Sequence, residues 1–294
     1  SFDVNSLYPN IIVQWNMSPE TIIRKVELGI TVEKILDGYV AETAKTNNMS
    51  MAATGQYFSN EKQGFMPKII EEMYDERVAI KKMMISSKKE LEVADKSNKQ
   101  EVYRIERDIV RYENEQTAIK LLLNSLYGAL GNKYFRYFTM EIAEGITLSG
   151  QTIIRWAEKA VNDYLNKALK NQKYKDYVIA IDTDSVYANL GDLVKHVLPD
   201  ADTKKKVDFL DKVCGKIEKD VLDVAFKQLK ENCGNNFFLH NQYHLNNNKQ
   251  NYQNDNCFVV WLYPNCYLYR SYYFNSYVCL FIILKVFFGW WFYS

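Results

Sequence analysis

Hydrophobic and polar positions change period several times along the chain, and each change predicts an element. From Pro67 onward, Ile69, Ile70, Met73, Val78, Ile80 and Met84 recur at helical spacing. A Pro at a first helical position fits, because its missing N–H would have no intrahelical partner there. The polar run from Ala94 to Lys99 predicts a turn, and a second helix is expected to about Tyr127, stopped by Gly128. Two long helices joined by a short polar turn predict an antiparallel pair. A third helix fits 140–170, and helical periodicity returns over 204–232. Residues 177–181 and 186–190 are apolar runs of strand length flanking Asp182-Thr183-Asp184-Ser185, which is the pattern of a β-hairpin with acids at its tip. The first 66 residues are less periodic. Residues 2–23 predict a strand, a turn and a following segment. Residues 24–66, interrupted by Gly29, Gly38, Gly55 and Gly64, predict loops and a small helix.

The pattern breaks after about residue 234. Beyond it Glu is absent, Asp255 is the only acid, and Lys249, Arg270 and Lys285 are the only Lys or Arg. Aromatics and Asn crowd the remainder. Segment 278–293 is apolar apart from Lys285, yet it is shorter than the ~20 residues a membrane-spanning helix needs, so no membrane association is expected. The chain has 294 residues, 47% apolar and 25% charged, enough for one or two globular domains. A formal charge of +1 gives no global attraction to nucleic acid, so any such binding must come from local clusters. The five Cys, at 214, 233, 257, 266 and 279, form no C-x-x-C pair and no zinc-finger spacing, as in a reduced intracellular protein. Ser-Phe-Asp opens the chain inside an expected strand, which suggests a fragment.

The chemistry concentrates in three places. Asp182 and Asp184, at i and i+2 on extended backbone, would project from one side of a strand. Ionising both is costly without a cation, and carboxylate oxygens suit Mg²⁺. In isolation D-x-D is a weak signal, since exposed turns favour Asp anyway. Asp3, following an apolar start, could be an exposed Asp before a Pro turn or a third carboxylate closing a two-metal site. Lys120, Asn124 and Tyr127 lie at i, i+4 and i+7 and would share a helix face. Arg77 and Lys81 form a second basic pair. For both groups the plain alternative is a solvated charged face.

Taken together, these segments have a familiar order. Phe2-Asp3-Val4-Asn5-Ser6-Leu7-Tyr8-Pro9-Asn10-Ile11-Ile12 resembles the first polymerase motif of family B DNA polymerases. Lys120-Leu121-Leu122-Leu123-Asn124-Ser125-Leu126-Tyr127-Gly128 resembles the second, and Asp182-Thr183-Asp184-Ser185 the third. Met17-Ser18-Pro19-Glu20-Thr21-Ile22, with Gly128-Ala129-Leu130-Gly131-Asn132 and Phe135-Arg136-Tyr137, is similar to the T4-type bacteriophage replicative enzymes. The resemblance covers residues 1 to about 234.

It implies an α+β right-hand architecture: a palm with an antiparallel sheet in 1–66 and 128–234, and fingers of two antiparallel helices in 67–127. It implies template-directed addition of dNTPs to a primer 3′-OH by two-metal phosphoryl transfer. Two Mg²⁺ ions would be held by Asp3, Asp182, Asp184 and the Val4 carbonyl. Backbone N–H groups of Ser6 and Leu7, with Arg77, Lys81, Lys120 and Asn124, would grip the triphosphate. Tyr8 would exclude a 2′-OH, and Tyr127 and Gly128 would check the nascent base pair. The implied partners are primer–template DNA and dNTPs, and in a full-length parent a sliding clamp and replisome proteins, in the cytoplasm of an infected bacterial host.

The sequence departs from the resemblance at Ala180-Ile181, where that family usually carries Tyr-Gly, and in 235–294, which matches nothing in the family and is expected to be either an out-of-frame translation or a genuine divergent tail. A catalytically inactive nucleic-acid-binding remnant is the alternative. A metal-dependent nuclease ranks below it, because it gives Lys120, Asn124, Tyr127 and Tyr8 no role.

Overall fold

Helix and short antiparallel strands alternate in the order β1 (Phe2–Asp3), α1 (Leu7–Gln14), β2 (Ile22–Val26), α2 (Val32–Leu36), α3 (Glu42–Thr46), β3 (Met49–Met51), β4 (Gln56–Ser59), α4 (Phe65–Val93), α5 (Lys99–Leu130), α6 (Met140–Ala168), β5 (Val178–Asp182), β6 (Ser185–Ala188), α7 (Gly191–Val197), α8 (Thr203–Ile217) and α9 (Asp223–Asn232), with a π-helical stretch, Glu218–Leu222, between the last two. This computed structural model describes residues 1–4 and 6–234; the aromatic tail singled out above, 235–294, lies outside the described residues. The mixture of helices and small antiparallel sheets is compatible with the α+β class that the resemblance implies.

Two three-stranded sheets carry the strands, ordered β1-β6-β5 and β2-β4-β3. The β5–β6 hairpin forms where the two apolar runs flank the acids. β1 adds to its far side, with Phe2 opposite Val186 and Asp3 opposite Ser185. The expected helix pair also forms: α4 and α5 fold back on each other through residues 94–98. Asn98 caps α5 by accepting from the Glu101 N–H at 3.3 Å, which satisfies one orphan donor of the first turn. Arg104 of α5 reaches Glu90 of α4 at 2.7 Å. The main core gathers residues of α1, α4, α5, α6 and the C-terminal helices, including Ile11, Ile12, Ile70, Leu123, Leu130, Ile142, Ile146, Leu165 and Leu229.

The structure corrects the sequence in four places. Residues after Asp3 are not a Pro turn: Pro9 lies in the first turn of α1, where its missing N–H has no intrahelical partner to lose. Likewise α4 begins at Phe65, two residues before Pro67. Gly128 does not stop α5, which runs on to Leu130 and is capped at Gly131; a single Gly costs roughly 1 kcal/mol in a helix interior, too little to end one held by packing. The stretch 24–66 holds a sheet as well as short helices. Its strands β3 and β4 are buried almost throughout, so they show no in-out alternation.

That second sheet is tied to α1 by polar side chains with internal partners. Asn16, buried and left-handed at φ 51, donates from Nδ2 to the Ser59 and Lys62 carbonyls at 2.7 and 2.8 Å and accepts from the Gly64 N–H at 2.8 Å. The Trp15 indole donates to the Met51 carbonyl at 2.9 Å, and Ser50 Oγ donates to the Trp15 carbonyl at 2.6 Å. The same corner anchors α4: its first N–H groups, on Phe65 and Met66, donate to Glu20 Oε1 and Ser18 Oγ. At the other end, the Asn162 side chain of α6 accepts from the Tyr177 and Val178 N–H groups, fixing where β5 starts.

Candidate functional site

Strand register explains where the acids stand. Asp3 ends β1 and pairs with Ser185; Asp182 ends β5 and also pairs with Ser185 from the other side. The Cα atoms of Asp3 and Asp182 therefore flank the buried Ser185 across two strand spacings, about 10 Å in all. Asp184 follows Asp182 by two residues and lies in the hairpin turn, after Thr183 at φ 20. The expectation that Asp182 and Asp184 share one side of an extended strand is thus incorrect: the tip bends between them, because a two-residue hairpin turn needs positive φ. The Asp184 carbonyl accepts from the Val4 N–H at 2.8 Å, a bond that welds the chain leaving β1 to the hairpin tip.

The electrostatics at this tip are unbalanced. Asp184 is held above the ordinary carboxylate range, first by burial and then by the neighbouring charges of Asp3 and Asp182. Burial also raises Asp3, and the Lys120 ammonium opposes that rise. Lys120 of α5, itself exposed, thus reaches the acid cluster from a different part of the chain. Among the described residues no three His, Cys, Asp or Glu side chains form one metal-holding group. The donor set nonetheless fits a hard divalent cation: oxygen ligands only, partly desolvated, with like charges adjacent and the Lys120 charge acting on Asp3.

Aromatic contact joins the remaining segments. The rings of Tyr8 and Tyr127 stand 4.8 Å apart between centroids, tilted by 52°. Burial raises the Tyr8 hydroxyl pKa, with Tyr127 and Asp184 adding to it. Asp3, Tyr8, Lys120, Tyr127, Asp182 and Asp184, drawn from β1, α1, α5 and the hairpin, therefore occupy one neighbourhood. Val4 and Leu7 are buried beneath it, and Ser6 is the left-handed N-cap of α1. A Cβ placed on Gly128 would meet nothing within 4 Å, so the surface beside Tyr127 is open.

The other predicted residues are less tightly gathered. Arg77 is partly buried on α4, and its Nε is buried without a hydrogen-bond partner. Lys81 and Asn124 are exposed on α4 and α5. Sequence reasoning missed a basic and aromatic loop just beyond α5. Tyr134 is 86% exposed, and Lys133 and Arg136 lie over the rings of Tyr134 and Tyr137. The interleaving of Lys or Arg with Tyr in 133–137 was the available signal.

Comparison with known proteins gives a consistent picture. The family model described as DNA polymerase family B matches residues 1–227. The chain is 31% identical to the DNA-directed DNA polymerase of Enterobacteria phage T4, over 83% of this chain and 30% of that one. It is 29% identical to the DNA-directed DNA polymerase of Escherichia phage RB69, with the same coverage. It is also 29% identical to the DNA polymerase of Pyrococcus glycovorans, over 74% of this chain and 22% of the relative. The chain spans under a third of the length of these curated relatives. Among the described residues no helix is long and apolar enough to cross a membrane.

Proposed function

The chain belongs to DNA polymerase family B, and on that premise we propose that it carries the nucleotide-adding centre of a template-directed DNA polymerase. The observation that carries this reading is the convergence of three separate segments: Asp3 with Tyr8, Lys120 with Tyr127, and the Asp182–Asp184 tip. A nuclease would need the acids alone. It would not need a tyrosine pair beside them or a lysine whose charge acts on Asp3 from a long helix.

In this reading residues 1–66 and 128–234 are the palm and 67–127 the fingers. Asp3, Asp184, Asp182 and the Val4 carbonyl would hold two Mg²⁺ ions, which when bound activate the attacking oxygen and neutralise the leaving group. Lys120 places a fixed positive charge against phosphate. Arg77, Lys81 and Asn124, on the same helix pair, grip the triphosphate from the other side. The backbone N–H groups of Ser6 and Leu7 open α1, and the positive end of a helix attracts anions. Tyr8 bounds the sugar and excludes a 2′-OH, so the substrate is a dNTP. Tyr127, with the open surface at Gly128, lies against the nascent base pair. The exposed Lys133–Tyr137 loop offers stacking and cationic contacts to the template strand. A sliding clamp and other replication proteins would be partners of a longer polypeptide, in an infected bacterial host.

Primer extension with Mg²⁺ and dNTPs tests this. A longer polypeptide containing this chain should extend a primer and lose extension on Asp184→Asn while still binding primer–template, whereas this stretch alone is expected to be inactive. DNA binding without any extension would favour the second reading, a nucleic-acid-binding remnant. That reading draws on the wide spacing of Asp3 and Asp182 and on Ile181, 41% exposed beside Asp182.

A further inference from the structure

Helix α6 presents small residues toward α1 and toward Met17, Ala52 and Ala53 outside it. A Cβ on Gly145 would stand 3.4 Å from Ala52 and 3.6 Å from Met17, and the Ser149 hydroxyl accepts the Ala53 N–H at 3.2 Å. The tightest approach is at Gly150. A Cβ there would stand 3.2 Å from Tyr8 Cε1, 3.5 Å from Ile11 Cδ1 and 3.6 Å from Leu7 Cδ2. Gly weakens a helix interior, so its presence here needs a reason, and the nearest atom is the ring of Tyr8. That ring also meets Tyr127. Its position is thus set by contacts from two other helices, α5 and α6.

We propose that Gly150 is a positioning residue for sugar selection: by leaving room on α6 for the Tyr8 ring, it fixes where that ring bounds the nucleotide's sugar. This rests on the assignment of Tyr8 as the sugar boundary. A methyl added at Gly150 pushes the ring away from α6 by a few tenths of an ångström. The backbone of α1 is anchored by the buried Ile11 and Ile12 and moves less readily.

The test is a double-mutant cycle of Gly150→Ala and Tyr8→Ala in the full chain. It has two readouts: thermal melting, and equilibrium binding of dATP against ATP with Mg²⁺ and a dideoxy-terminated primer–template. Gly150→Ala should weaken dATP binding about fivefold, the size of a modest overpacking penalty, and shift the dATP-to-ATP preference by about threefold or more. In the Tyr8→Ala background the same change should leave the preference unaffected and should not lower the melting temperature below that of Tyr8→Ala alone, since Ala favours a helix interior over Gly. An additive loss of melting temperature in the double variant would place the clash elsewhere and overturn the proposal, even if Gly150→Ala alone binds nothing. An unchanged preference in a folded Gly150→Ala variant, with Tyr8→Ala altering it, would also overturn the proposal while leaving Tyr8 as the boundary. If Tyr8→Ala leaves the preference untouched, or the wild-type chain has none, the sugar-boundary assignment itself falls, and the role of Gly150 with it.

Discussion

Sheets β1-β6-β5 and β2-β4-β3 each insert a late strand between two others, yet their polar residues meet opposite fates. In β2-β4-β3 the polar groups find partners inside the protein. Gln56 donates to the Ile23 and Tyr57 carbonyls, and the Tyr57 hydroxyl donates to Glu27 at 2.6 Å. Burial, reinforced by that bond to Glu27, pushes the Tyr57 pKa up to about 12. In β1-β6-β5 the acids are only half-sheltered and repel one another, with the Lys120 charge opposing at Asp3. A polar group satisfied internally holds a fold together. Carboxylates left partly desolvated among like charges create a demand that only something from outside can meet, which is how reaction centres differ from structural cores.

The sharpest way to break this comparison is to neutralise one acid. Asp184→Asn should reduce single-nucleotide incorporation by about a thousandfold or more, since several kcal/mol of charge stabilisation would go with it. Gel-shift affinity for primer–template should stay within about threefold, since phosphate-directed binding rests on cationic side chains elsewhere. A loss under tenfold would mean that the unbalanced field at the hairpin is incidental. The converse test lies in the other sheet. Asn16→Ala removes three hydrogen bonds from a buried, left-handed corner and should cost roughly 2–4 kcal/mol of stability, measured by urea unfolding. Near-neutral behaviour would remove the contrast between the two sheets from the structural side.

What was legible follows the same division. The long helices α4, α5 and α6 and the β5–β6 hairpin could be traced in the sequence because each has one apolar face or two clean apolar runs. The acids, Lys120 and Tyr127 were legible as types of residue at telling spacings. Sheet β2-β4-β3 was not, because Ser50, Gln56 and Asn60 are polar yet buried, and local pattern treats them as surface. Nor was α1, because Pro9 reads as a turn until the first-turn position is known. The Tyr8–Tyr127 contact, the Val4-to-Asp184 bond and the bend at Thr183 are tertiary facts: they join residues far apart in sequence or depend on one backbone angle, and no periodicity encodes them.

A subtler break uses pH. Asp184 and Asp3 have folded pKa values raised chiefly by burial. An acid with a raised folded pKa favours folding fully below its unfolded value, about 4, and that contribution is lost as pH rises through the folded value. The metal-free chain should therefore lose melting temperature as pH climbs from about 4 toward neutrality. Asp184→Asn should flatten this decline and melt above wild type at neutral pH, with the difference closing in acid. Added Mg²⁺ should raise the wild type more than the variant. Should Asp184→Asn melt lower than wild type at neutral pH, the carboxylate is stabilising, and the strain attributed to the tip does not exist.

The smallest effect concerns Ile181, which stands beside Asp182 where the resembling family usually carries Gly. Crowding of the hairpin would be the concern, yet Ile181 pairs with Val186 while keeping 41% of its surface exposed. Its side chain therefore projects outward instead of wedging into the core. Ile181→Gly removes a half-exposed aliphatic group and adds backbone freedom to a strand, which together cost about 1–2 kcal/mol, readable as a shifted urea midpoint. Because the carboxylate positions are set by the β6 register and by the Val4 bond to the Asp184 carbonyl, incorporation by the variant should change by less than about fivefold, a difference worth under about 1 kcal/mol. A large gain in incorporation would show that the outward Ile obstructs the primer end, and that shape at the hairpin outweighs the field of its acids. A large loss would show that strand stiffness beside Asp182 holds the acid in place. Either result would move the contrast between the two sheets from charge to packing.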